Sequence, residues 1–370
     1  MRSRRLLVYL TTFVCLALPS GVAAAAPQVA ARTQPGVAAS DPTPDEINST
    51  VNLALDYPYE DVPGSYLFVN GKAYPYQEVG RDPIMDSSIT FEGEEVAVKD
   101  FLNKRLSEIG GQLPPDTSQR TPVIGYGSNR APSALARKFV SPGFTRGWSV
   151  IPVIKADLKH FEVTHAANFF PNGNQPATIR YAEEASSEVF VTWMDKDELA
   201  RMHSTEGLDD KSPRSWYQYG KLDNIELRPK GGNSLTSAYV YVDNYGSTKV
   251  GGKTYSLKKV GGTPVSERVS QEGILNKSKS LKKVGSVPVP ESTRWTCGAY
   301  FPDSVRNFVC ATYVDPCVRA DRTEQLMKYS EPFSLPRSSG MTYTKKMGSS
   351  TAGNPIVFKG PRCPHNPDIG

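Results

Sequence analysis

Several common signatures are missing from this 370-residue chain, and each absence removes a class of function. No G-x-G-x-x-G stretch marks a dinucleotide fold, and no Gly-Lys-Ser/Thr follows the Gly125–Gly127 turn to make a phosphate loop of it. No G-x-S-x-G elbow presents Ser128, and no Asp and His follow it in hydrolase order, which argues against a serine nucleophile. The mature cysteines contain no C-x-x-C knuckle, so the competing zinc reading lacks its usual spacing. Charge is also nearly balanced. A net +5 gives no reason to propose nucleic acid or an anionic membrane as a partner. Hydrophobic residues make up 38%, enough for one core with a good deal of loop around it.

The N-terminus reads as a secretory signal, residues 1–26. Arg2, Arg4 and Arg5 precede an apolar run, residues 6–18, that is short for a bilayer, and Ala23 to Ala26 offer small-residue cleavage choices. An uncleaved anchor is the alternative. Cysteine usage supports export to a secreted or periplasmic location, with no membrane attachment after cleavage. Cys15 lies in the signal, and Cys297, Cys310, Cys317 and Cys363 remain, an even number that suggests two disulfides with three possible pairings.

Residues 27–50 are rich in Ala, Pro, Thr and Ser and read as a flexible leader. Residues 51–118 form an N-terminal segment, in which Phe101, Leu102, Leu106 and Ile109 are spaced for one face of a helix. Pro114 and Pro115 mark a linker. From 119 to about 290 elements alternate more clearly. Residues 121–125 make a short strand, 132–139 a helix with Pro132 in its first turn, and 188–194 a strand. Asp195 and Glu198 form a capping box for a helix through His203, and 216–227 and 237–242 are further strands. Without a regular βαβ rhythm the fold class is α+β. The hexapeptide SLKKVG occurs twice, at 256–261 and 280–285, and reads as a pair of similar hairpins. Residues 291–370 look like a turn-rich, disulfide-stapled extension.

Three pieces carry candidate chemistry. Gly125, Tyr126, Gly127, Ser128 and Asn129 turn between a strand and a helix, where backbone N–H groups can hold a carboxylate or a developing oxyanion. Glu206 follows a helix and precedes Gly207. Tyr239 lies on the 237–242 strand. Each has a plain structural reading as a turn, a surface acid and a half-buried strand residue. His203 stands three residues before Glu206, and His160 and His165 flank Phe161 without belonging to a motif.

Together, YGSN after a strand, EVFVTWMDKDELARMHSTEGL, and a Tyr-bearing strand about 30 residues on resemble the γ-glutamylcyclotransferase superfamily over residues 121–245. The resemblance implies a small mixed β-barrel flanked by helices, without cofactor or metal. It implies that Val123, Ile124, Gly125, Tyr126, Gly127 and Ser128 line a γ-glutamyl site, that Glu206 is the general acid/base, and that Tyr239 helps fix the substrate. The implied lyase-type reaction closes a γ-glutamyl amide, amine or peptide to 5-oxoproline. Arg130 and Ser204-Thr205 depart from the family pattern. The rival reading is a secreted binding or interaction protein that reuses the domain without turnover.

Overall fold

The computed structural model describes residues 42–113, 116–140, 144–206, 208, 216–302 and 304–346. The signal, Pro114 and Pro115, Gly207 and Cys363 lie outside these residues. The first element is a helix, α1 (Pro44–Asp56), opened by a Thr43/Glu46 capping box with Pro44 in its first turn. Ile47, Val51 and Ala54 recur at helical spacing and are buried, so the leader expected up to residue 50 is ordered structure from 44 onward. An antiparallel meander follows: β1 (Tyr66–Val69), β2 (Lys72–Glu78), β3 (Ser88–Phe91) and β4 (Glu94–Ala97). Helix α2 (Val98–Glu108) packs Phe101, Leu102 and Leu106 against the meander and leaves Ile109 exposed.

The centre is a closed barrel of five strands, which makes the fold α+β. They are β5 (Thr121–Gly125), β6 (Val150–His165), β7 (Ala177–Met194), β8 (Tyr217–Pro229) and β9 (Leu235–Asp243). Around the barrel the order is β5, β9, β8, β6, β7 and back to β5, antiparallel throughout except for the parallel β5–β9 pair. Closure leaves these strands no free edge between them. Two helices lie beside the barrel: α3 (Pro132–Phe139) after β5 and α4 (Lys196–Thr205) after β7. Both start where local chemistry dictates. Pro132 sits in the first turn of α3, and the Asp195/Glu198 capping box opens α4.

Short strands follow: β10 (Ser247–Thr248), β11 (Ser256–Leu257), β12 (Gly262–Thr263) and β13 (Arg268–Val269). A helical subdomain comes next, with α5 (Gln271–Ser280), α6 (Lys282–Gly285), α7 (Glu291–Tyr300), α8 (Val305–Val314) and α9 (Pro316–Met327). It buries the apolar face of α1. Strands β14 (Ser330–Glu331) and β15 (Thr342–Lys346) close the described chain, β15 pairing antiparallel with β8.

Two expectations change here. Most of 291–327 is helical rather than turn-rich, because Ser304 and Asp315 cap α8 and α9 and Val305, Phe308, Val309 and Thr312 form one buried stripe. A Cys297–Cys310 disulfide ties α7 to α8, and Cys317 is disulfide-bonded as well. The hexapeptide copies are not twin hairpins. The first runs from β11 into a turn, and the second runs into α6. Both share one local bond, from the valine N–H to the leucine carbonyl three residues earlier (Val260 to Leu257 and Val284 to Leu281). Their surroundings differ. Ser256 and Leu257 are held as strand by β13, whereas Leu281 and its followers continue the helical path from α5.

Candidate active site

The loop from β5 to α3 runs past the end of α4, and a cavity of about 180 Å³ opens between them. One water needs roughly 10–15 Å³ on this measure, so the space suits a small ligand. Ile124, Gly125, Tyr126, Gly127, Ser128 and Asn129 line it, as do Lys138 and Glu206. Aromatic walls come from Tyr57, Tyr59, Phe170, Tyr217 and Tyr241.

Helix α4 is set firmly before it delivers Glu206. Glu198 is fully buried, and its carboxylate takes bonds from Arg120 at 2.9 Å, Arg146 at 2.8 Å and the Val150 N–H at 2.9 Å. Burial pushes the Glu198 carboxyl up against the pull of Arg120. Removing one partner of such a pair costs about 3–5 kcal/mol, so the helix start is pinned to β5 and β6. At the other end Glu206 is the C-cap residue, its N–H bonded to the Met202 and His203 carbonyls at 3.1 Å each.

Glu206 is 6% exposed. Its Oε1 receives Lys138 Nζ at 2.5 Å and Asn129 Nδ2 at 3.1 Å. Lys138 Nζ also donates to Asn129 Oδ1 at 2.7 Å, closing a three-residue ring of contacts. Arg201 Nε donates to the Lys138 carbonyl at 2.8 Å and so fastens the end of α3 to α4.

Tyr57, just past α1, reaches into the same place. Its hydroxyl oxygen accepts the Ala177 N–H at 2.9 Å and faces the Ser128 N–H. A Cβ at residue 127 would come within 2.5 Å of that oxygen, so the turn needs Gly127 for close approach rather than for an unusual φ. Burial holds the Tyr57, Tyr126, Tyr217 and Tyr241 hydroxyls above their ordinary range, so all four keep their protons. The Tyr126 hydroxyl donates to the Tyr241 carbonyl. The Tyr241 hydroxyl meets His203 Nδ1 at 2.9 Å, and burial lowers the His203 pKa, keeping that ring neutral.

Two residues expected at the site are elsewhere. Val123 is mid-strand and packs into the core, its carbonyl accepting from Thr192. Tyr239 pairs with Val123 across the parallel ladder, stacks on Tyr219, and accepts from Lys346 at 3.2 Å outside the cavity. Tyr241, two residues further along β9, reaches the end of β5 where the loop departs. Lys138, Tyr57, Tyr59 and Tyr217 were not anticipated. The signal for Lys138 was its place in the last turn of a helix that begins right after YGSN.

His160 occupies a bulge in β6 with φ +64°. No helix among the described residues is long and apolar enough to cross a membrane. No protein-family model, curated protein or solved structure matches the chain.

Proposed function

We propose that this chain is an exported γ-glutamylcyclotransferase-type enzyme that converts a small γ-glutamyl amide, amine or peptide to 5-oxoproline, with Glu206 as general acid/base. The observation that carries the reading is that Glu206 and the backbone of the Gly125–Asn129 turn line one small cavity, although about 80 residues separate them in sequence. The barrel between β5 and β9 agrees with the fold that the resemblance implies. The disulfide and the N-terminal signal pattern support export.

In this reaction the substrate's α-amine attacks its own γ-carbonyl carbon. A new C–N bond closes the five-membered ring and the original amide C–N bond breaks. Attack is intramolecular, so no protein nucleophile is required. Glu206 takes a proton from the α-ammonium and returns one to the leaving nitrogen. Lys138 and Arg137 are the cations lining the cavity, suited to the substrate's α-carboxylate. Tyr57 suits the oxyanion: its oxygen already accepts a backbone N–H, which polarises the phenol, and its retained proton can be donated into the cavity.

A second reading, binding without turnover, is favoured by one observation. The Lys138 ammonium sits 2.5 Å from Glu206 and already satisfies its charge. A panel of γ-glutamyl compounds incubated with the purified full chain, read by 5-oxoproline release, separates the two. Release that disappears in Glu206→Gln supports the enzyme. Release that survives the substitution removes Glu206 from its role, and ligand binding with no release from any compound leaves the binding reading.

A further inference from the structure

A second cavity, about 590 Å³, shares the Tyr57 ring with the first. Its walls are the first SLKKVG copy, through Leu257 to Gly261, and the opening turn of α5. His165 and Gln271 line it at 1% and 3% exposure. His165 Nε2 lies 3.1 Å from the Val269 carbonyl oxygen. That oxygen can only accept, so in the neutral ring Nε2 carries the proton and Nδ1 is a bare acceptor. Burial lowers the His165 pKa to about 4, which keeps the ring neutral at physiological pH.

Among the described residues neither Nδ1 nor Nε2 or Oε1 of Gln271 has a hydrogen bond of good geometry, although the Gln271 side chain lies near enough to His165 to act on its ring. Three buried polar atoms without a well-formed bond are costly, and native interiors rarely keep them so. One hydroxyl group answers two of them, its O–H donating to Nδ1 and its oxygen accepting from the amide. The charge of the mouth is equally one-sided. Lys258 and Arg268 are exposed there, and the ten-residue helix α5 adds its positive end. Lys259 is held by Asp56 at 2.9 Å, and Asp61 is the one carboxylate among the lining residues.

We propose that this cavity binds a small organic anion bearing hydroxyl groups, with a hydroxyl seated on His165 and Gln271 and the negative charge near Lys258 and Arg268. The site is independent of the cyclotransferase reading, since Tyr57 is the one lining residue the two cavities share and its hydroxyl has no part in this proposal.

Isothermal titration of the full chain with glucuronate, glucose 6-phosphate, glucose and inorganic phosphate tests it. Glucuronate or glucose 6-phosphate should bind at least ten-fold more tightly than glucose or inorganic phosphate. Gln271→Leu should abolish the binding. Lys258→Glu, at an exposed position that tolerates change, should weaken it about ten-fold, and Glu206→Gln should leave it intact. The ¹⁵N resonance of His165 Nδ1 should move when the probe binds. Inorganic phosphate binding as well as glucose 6-phosphate would reduce the site to a plain anion contact and overturn the proposal. So would a lack of binding by all four probes, or binding that Lys258→Glu leaves unchanged.

Discussion

The two cavities share one tyrosine ring and differ in how their polar groups are matched. In the first, Glu206, Lys138 and Asn129 satisfy one another at 2.5–3.1 Å. In the second, three buried atoms of His165 and Gln271 lack a well-formed hydrogen bond among the described residues. A closed ring of contacts holds groups in a fixed geometry, as chemistry on a small substrate requires. Unmatched atoms at the floor of an open pocket instead select a ligand by what it can supply. On the two proposals the first cavity acts and the second recognises.

The sharpest break in this contrast is Glu206→Gln, for which 5-oxoproline release should fall by about 10²–10⁴-fold while glucuronate or glucose 6-phosphate still binds at the second cavity. The next effect is on stability. His165 titrates at about 4 in the folded chain against an ordinary value of 6.5. The unfolded chain therefore holds the extra proton between these values, and this contribution to stability is complete above 6.5 and lost as pH falls toward 4. At 1.36 kcal/mol per pKa unit the loss approaches about 3 kcal/mol. Urea denaturation at pH 7 and 4.5 should show a steeper loss in the wild type than in His165→Gln, and equal slopes would remove His165 as the cause. Tyr57→Phe keeps the ring that both cavities share and deletes the donor, so kcat should drop by about 10²-fold with KM little changed. If KM rises instead, Tyr57 binds rather than stabilises the oxyanion. The smallest effect is expected from Lys138→Met, about ten-fold in KM and less in kcat, measured against a substrate with a free α-carboxylate and the same substrate as its methyl ester.

Local chemistry explains what could be read in advance. Residues 121–125, 132–139 and 195–203 matched β5, α3 and the start of α4 because a β-rich run, a first-turn proline and a capping box act within a few residues of themselves. The Thr43/Glu46 capping box is an equally local signal, hidden by the Ala- and Pro-rich stretch before it. The site itself was half legible. The turn and Glu206 were marked by motif, but the partners of Glu206 come from long-range pairing, with Lys138 68 residues away and Tyr57 bonded to an amide 120 residues on. Tyr239 and Tyr241 point to one face of β9, as alternation requires. Only the register against β5 decides which of them meets the loop, and that register belongs to barrel closure. His165 gave no warning at all, since its meaning depends on Gln271 and on a backbone carbonyl over 100 residues away.

The repeated hexapeptide turns the chain into its own control. Two identical stretches share one solvent, one temperature and one molecule, so any difference between them in amide exchange measures tertiary context with local sequence held constant. The Val260 and Val284 amides make the same bond to the leucine three residues back. If the turn alone protects them, they exchange at equal rates. If the barrel and the helical subdomain open separately, the ratio of the two rates reads the difference in their opening free energies directly.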